Sequence, residues 1–413
     1  MPLLVPCEEL KPGMCLKQPL LWRGRVMLAA GDVLTTVDIN SLRMRFPKHS
    51  LCIADPALDD AIDFENDSYE REVARKAQRI IADSMSEVQE RFTTHPSLDG
   101  VSLHGIDRAV TEVIEYLRSH PVSAVLLDNI IHGKHYLSER AGSIFYLSLL
   151  LGGATREYIN SERKRQSSAQ NLTPRVTQNL APLGLGAMLL DLGMLPLRHL
   201  FTETEALTPQ TWQQIRQHPI TGASMLPEDF SSTAKMIVRT HHENLDGTGY
   251  PQEFAGEKLH VFTRIIRIVD AYEAATARRI YKEAKSRTRT LWEMSAGPYQ
   301  PYYDQNLMRT FIQLVQPFPV GAKIRLVNQQ YAVVVKYNRR DPLSPQIVIA
   351  FDSRNRRIPN HQLEGVRTLG ESPEFRAASF EGEDLAYLYE NESWPLRASR
   401  VGVWPSLFEA AYP

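Results

Sequence analysis

The sequence predicts a mainly α protein, a helical bundle carrying a small N-terminal α+β module and a small C-terminal β module. Three observations carry this expectation. Apolar residues recur at helical spacings from Asp107 to about Val315, short β-type runs alternate with turns before residue 55, and beyond Pro317 the hydrophobic period changes to two. At 413 residues the chain is long enough for two to four units that each bury a core.

Taken in order, residues 1–55 contain "KPGM", "LLWRG" and "RVMLAAGDVLTT", and they close on a helix expected near Ile39–Phe46. Residues 56–120 hold an acidic link, "DPALDDAIDFENDS", followed by an apolar stripe through Val73, Ala77, Ile81, Met85, Val88 and Phe92. That stripe marks an amphipathic helix. It packs on its own chain or forms a dimer seam, and it has too few heptads for a coiled coil. Residues 121–318 form the helical domain, with segments such as "SAVLLDNIIHG", "LSERAGSIFYLSLLL", "TAKMIVRTHHE" and "FTRIIRIVDAYEAATA". The run "APLGLGAMLLDLGMLPL" (181–197) reads as a buried core helix, since Asp191, glycines and prolines rule out a membrane span. Residues 319–370 form the β module through "AKIRLV", "QYAVVVKY" and "PQIVIAF". The tail, 371–413, is assigned no function.

Charge excludes some partners. Lys plus Arg number 47 against 48 Asp plus Glu, a formal charge of −1, so no global field draws the chain to DNA or a membrane surface. The start, "MPLLVPCEEL", lacks the basic and apolar regions of a signal peptide, which makes the cytoplasm the expected location. Cys7, Cys15 and Cys52 are read as small hydrophobes.

Chemistry concentrates on a few residues. Asp191 is the only charged residue between Ala181 and Leu197, and Asp270 sits between Ile266 and Ala274 one turn away on either side. Each carboxylate, buried, costs several kcal/mol unless a cation, metal or donor set meets it. His241 and His242 close the helix that starts near Thr233. Adjacent helical residues diverge by about 100°, so both rings can grip one ion only from a helix end that is starting to turn. The following "DGTGY" supplies the turn, with Gly247 and Gly249 both able to take positive φ. His218, in "RQHPITG", lies at a second break. Three such imidazoles with two buried carboxylates fit a metal centre of nitrogen and oxygen ligands. The spacing excludes H-E-x-x-H and EF-hand sites.

"HHENLDGTGYP" (241–251) resembles the signature of the HD-GYP family, helical metal-dependent phosphodiesterases that hydrolyse the bacterial second messenger cyclic di-GMP. "QHPITGASML", "LTPQTW" and "TRIIRIVDAYEAATARRIYK" extend the resemblance over about residues 125–318. Residues 1–55 and "PVGAKIRLV" resemble modules that often flank the family's domain. The resemblance implies a centre of two or three metals, commonly iron or manganese. It implies His218, His241 and His242 as ligands to one metal, Asp191 as the bridging carboxylate and Asp270 as a ligand to the other. Tyr250, Arg279 and Lys282 resemble the residues that contact the dinucleotide.

The chain departs from that pattern at one side of the centre. The family's H-D-x-G-K reads "LDLGM", so Leu190 replaces the histidine and Met194 the lysine, and Arg140 aligns with a further family histidine. An apolar side chain cannot ligate. The expectation is one divalent transition metal (iron, manganese, zinc or nickel) on three histidines and Asp191, with no well-formed second site. The Arg140 guanidinium would fill the vacated space against Asp270 or Asp191. A fixed single charge cannot lower the pKa of a bridging water. The leading reading is therefore a degenerate HD-GYP protein in cyclic di-GMP signalling, with weak or absent hydrolysis, acting through ligand, protein-partner or homodimer contacts. The alternatives are an active phosphodiesterase, with missing ligands drawn from His132, His135 or Glu139, and a metal-free helical scaffold. The cluster "ARRIYKEAKSRTR" (277–289) reads equally as a solvated face or an anionic-pocket rim.

Overall fold

A computed structural model describes residues 3–17, 20–22, 25–46, 50–55, 104–119, 136–166, 179–201, 208–277, 285–338 and 341–390, with isolated positions at 58, 76, 79, 80, 83, 84, 173 and 176. The described residues divide into two units, one built from both ends of the chain and one from its helical middle.

The first unit begins with β1 (Leu3–Pro6), β2 (Leu20–Trp22), β3 (Arg25–Leu28), α1 (Thr36–Arg45) and β4 (Ser50–Ile53). Helix α1 starts three residues before the sequence expectation because Thr35 and Asp38 form a reciprocal capping box. β1 pairs antiparallel with β4 across the module, and β2 pairs with β3.

In the second unit come α2 (His104–Ser119), α3 (Tyr136–Ala154), α4 (Arg156–Gln166), α5 (Ala181–Leu189), a 3-10 segment (Leu192–Phe201), α6 (Pro209–Arg216), α7 (His218–Ser224), α8 (Ser232–Thr240), α9 (Val261–Thr276), α10 (Arg287–Ser295) and α11 (Gln305–Leu314). The core is a layer of helices in which α3 is buried along its length, from Arg140 through Leu149, and packs against both α5 and α9. α8 also packs against α5. Because α5 is made almost wholly of Leu, Ala, Met and Gly, every side chain from Leu183 to Leu189 is buried. The single core helix expected over 181–197 is instead two pieces. α5 stops at Leu189, and Asp191 occupies the turn before the 3-10 segment, where Gly193 and Pro196 interrupt α-helical continuation.

A second polar assembly braces this unit. Arg264 donates to Glu162 at 2.8 Å, to Asp304 at 3.2 Å and to the carbonyls of Leu259 and Gly256, while the Tyr158 hydroxyl donates to Asp304 at 2.6 Å. These bonds tie α4, α9 and the approach to α11 together around charges that are buried but fully partnered.

The chain then returns to the first unit with β5 (Lys323–Leu326), β6 (Tyr331–Lys336), β7 (Gln346–Phe351), β8 (Arg367–Thr368), β9 (Ala377–Phe380), β10 (Glu383–Asp384) and the short α12 (Tyr387–Glu390). β5 to β10 form one antiparallel sheet in the order β10-β9-β5-β6-β7-β8. The sheet runs past residue 370 into what the sequence presents as a tail. β9 ("AASF") is too short and too polar to show a period of two, and it joins the sheet through Arg325 opposite Ser379. The two chain ends form one unit through the Leu4 N–H donating to Gly321 O at 3.0 Å and the Arg357 guanidinium gripping both oxygens of Asp55. Among the described residues Cys7, Cys15 and Cys52 form no disulfide.

The mainly helical fold expected from the sequence, with strands at both ends, is the one observed. Among the described residues no helix is long and apolar enough to cross a membrane. The stripe from Val73 to Phe92 lies almost wholly outside the described residues, as do "SAVLLDNIIHG" and the positions after 390.

Candidate metal centre

Two helix breaks bring three imidazoles together. His218 opens α7 directly after α6 ends at Arg216, with Pro219 in the first turn, where its missing N–H costs nothing. His241 caps the C-terminus of α8, and His242 follows as the backbone leaves the helix. Their ligating atoms all lie within 4.8 Å of one another.

The tautomers follow from the anchors. His218 Nδ1 stands 2.6 Å from Ile215 O and His241 Nδ1 stands 2.8 Å from Val238 O. A carbonyl only accepts, so each Nδ1 carries the proton and each Nε2 is left with a lone pair. The two Nε2 atoms are 3.0 Å apart. Burial lowers the pKa of both rings, His241 to about 4, so neither supplies a proton to share near neutral pH. Two lone pairs at that separation are repulsive, and a cation between them removes the conflict. His242, also held well below its ordinary pKa by burial, lies against His241 at a centroid separation of 4.1 Å with the rings tilted by 44°. The donor set fits a transition-metal ion: three neutral imidazoles, two of them oriented by backbone carbonyls, with an Asp191 oxygen 3.7 Å from His218 Nε2.

On the other side of Asp191 stands a guanidinium. Arg140, from α3, places Nη1 2.9 Å from Asp191, Nη2 against Asp270 and Nε 3.2 Å from Glu273. Asp270 and Glu273 are one turn apart on α9, and both are buried. Burial, the largest single influence, would raise the Asp270 pKa, but the electrostatic effects of Arg140 foremost, then His242, His241 and Arg267, together outweigh it, so the carboxyl is held below its ordinary value. Leu190 and Met194 are both buried and offer no nitrogen or oxygen ligand.

Glycines set the close approaches. Gly247 takes φ of +84° as expected, but Gly249 is needed for a different reason than the sequence suggests. It is absent from the positive-φ residues, and a Cβ there would lie 2.3 Å from Asn244 N and 2.5 Å from His242 O. A Cβ on Gly193 would lie 2.1 Å from His218 O. These contacts seat the 242–250 loop and the Asp191 turn on the histidine-bearing breaks. Glu243, wholly buried, closes the same loop by accepting from the Gln252 and Phe254 N–H groups. Gly249→Ala is therefore expected to lower metal affinity by at least about tenfold, since a ligand shifted by even a fraction of an ångström loses a bond worth more than 1.4 kcal/mol. Unchanged affinity in a metal titration would contradict this tight seating.

Of the residues singled out from sequence, Arg140, Asp191, His218, His241, His242 and Asp270 converge. Tyr250 lies beside them, its ring stacked on His242 at 4.8 Å. Arg279, Lys282, His132 and His135 lie outside the described residues, as does the side chain of Glu139. Glu273 escaped the sequence reading. Its signal was the i+3 spacing from Asp270, which puts two carboxylates on one helix face.

Residues 160–307 match the HD domain family. Over 232 residues the chain is 28% identical to a cyclic di-GMP phosphodiesterase of Pseudomonas aeruginosa, covering 55% of this chain and 54% of that protein. Over 80 residues it is 35% identical to a 3'3'-cGAMP-specific phosphodiesterase of Vibrio cholerae, covering 19% of this chain and 15% of that one. An HDG"Y"P protein from Bdellovibrio bacteriovorus superposes with a TM-score of 0.33 at 14% identity, covering 73% of this chain and 95% of that chain. The chain thus spans about half the length of the first of these relatives and much less of the second.

Proposed function

Since the chain belongs to the HD-GYP family of HD-domain proteins, we propose that it is a degenerate member that binds a cyclic dinucleotide, cyclic di-GMP foremost, and hydrolyses it weakly or not at all. One observation supports this reading above the others. Arg140 reaches Asp191, Asp270 and Glu273 together, filling with a guanidinium the ground where the family resemblance puts a second ion.

In this reading His218, His241, His242 and Asp191 hold one divalent ion, which supplies a Lewis-acid contact for a phosphodiester oxygen. Arg140 pairs with the three carboxylates and holds them in place. It has donors but no acceptor, so it cannot take a proton from an attacking water. Met194 offers no charge to the phosphate. Tyr250, packed on His242, forms an aromatic wall beside the phosphate position, and Arg279 and Lys282 belong to the binding residues in the same reading. The protein then acts as a receptor in bacterial cyclic di-GMP signalling, passing occupancy to a protein partner or to a second copy.

The test is anaerobic incubation of the manganese- or iron-loaded chain with cyclic di-GMP and, separately, 3'3'-cGAMP. The reading expects binding with turnover far below the 1–10³ per second typical of enzymes. Turnover in that range would establish an active phosphodiesterase. Absence of both metal and ligand binding would leave a helical scaffold.

A further inference from the structure

The metal centre connects to the protein surface by a stack of rings. His241 is fully buried, His242 is 21% exposed, Tyr250 is half-buried, and the Arg216 guanidinium, at the exposed end of α6, lies 4.7 Å over the Tyr250 ring. A second arginine, Arg267, stands one turn before Asp270 on α9. Its Nε donates to Asn244 Oδ1 at 2.8 Å and its guanidinium lies over Tyr303 at 5.3 Å. Among the described residues neither arginine is paired with a carboxylate. Both charges act on the Tyr250 hydroxyl, which burial nonetheless pushes above its ordinary pKa.

We propose that Arg216 and Arg267 are the phosphate-binding residues of this site, flanking Tyr250 and gripping the phosphodiesters of a cyclic dinucleotide where the family's lysine is missing at Met194. The inference rests on the preceding reading that the site takes such a ligand. An arginine stacked by its face on an aromatic ring keeps its N–H fork for a phosphate along its edge, and an arginine whose Nε is already held is pre-oriented. Trp212, one turn before Arg216 and 52% exposed, extends the same rim with a flat apolar face.

The experiment is calorimetric titration of cyclic di-GMP into the full manganese-loaded chain, with metal content measured on the same samples. The proposal expects Arg216→Ala to weaken binding by about tenfold or more and Arg216→Lys to recover part of the loss, because the charge returns without the stacked fork. Arg267→Gln, which keeps a donor for Asn244, is expected to weaken binding comparably, and metal content is expected to be unchanged in all three. Wild-type binding that survives both Arg216→Ala and Arg267→Gln would overturn the proposal while leaving the function intact. Affinity lost only together with metal would overturn it too, because the arginines would then act on the centre and not on the ligand. A wild-type chain that binds metal but no cyclic dinucleotide would overturn the proposal and the functional reading together.

Discussion

Arg140→Met is expected to lower the unfolding free energy of the metal-free protein by about 3–5 kcal/mol, the range measured when one partner of a buried ion pair is removed. In a unit of this size that corresponds to a fall in Tm on the order of 10 °C. The cause is specific. Asp270 and Glu273 are almost wholly buried, Asp191 is partly so, and all three face the one guanidinium. The loss should depend on pH in a definite direction. With Arg140 present, the folded-state pKa of Asp270 lies below its unfolded value, so the pair stabilises the fold at neutral pH and stops doing so as pH falls through the folded value. Without Arg140, burial raises the same pKa, and the variant is penalised more as pH rises above it. The gap between variant and wild type is therefore expected to be wider at pH 8 than at pH 5. Added manganese should narrow it, since a cation can then enter the carboxylate pocket. Thermal unfolding in chelator, with and without the metal, measures all three effects. A change below about 1 kcal/mol at pH 8 would mean that water, not Arg140, solvates these carboxylates.

The second large effect is a gain. Arg140→His combined with Leu190→His removes the guanidinium and places two imidazoles beside Asp191 and Asp270, restoring the nitrogen and oxygen set that the family resemblance calls for. Metal content is expected to rise from about one to about two ions per chain, and hydrolysis of cyclic di-GMP to rise with it, since two ions can stabilise both the attacking and the leaving oxygen. Leu190 is 1% exposed, so circular dichroism and the unfolding midpoint must first show that the double variant folds. A folded double variant that still holds one ion would mean that Leu190 and Arg140 do not line a former metal site.

Much of the site was legible in the sequence, and its gaps have physical causes. Two adjacent histidines before a glycine-rich turn, a histidine before a proline and two aspartates in apolar surroundings are each rare enough to be noticed, and they meet in space. Glu273 is not legible as a site residue because a glutamate on an amphipathic helix ordinarily faces water. Nothing local announces that Arg140, on a distant helix, reaches it. The Nε2 conflict between His218 and His241 depends on which carbonyls their Nδ1 atoms find, and that is a matter of tertiary placement. The strands at both chain ends were visible as local patterns where they alternate. The pairing of β1 with β4 and the extension of the sheet through β9 join distant segments, which periodicity cannot reveal. In the sequence Gly249 suggests freedom of φ, whereas in the fold it lets two backbone segments touch.

The central claim is that this pocket holds one divalent ion because a guanidinium occupies the position of another. Elemental analysis of the full chain, purified anaerobically and counted per folded chain, addresses that directly. The account predicts about one transition-metal ion, lost in His241→Ala and retained in Leu190→Ala. Two ions per wild-type chain, or none after loading with iron or manganese, would contradict it.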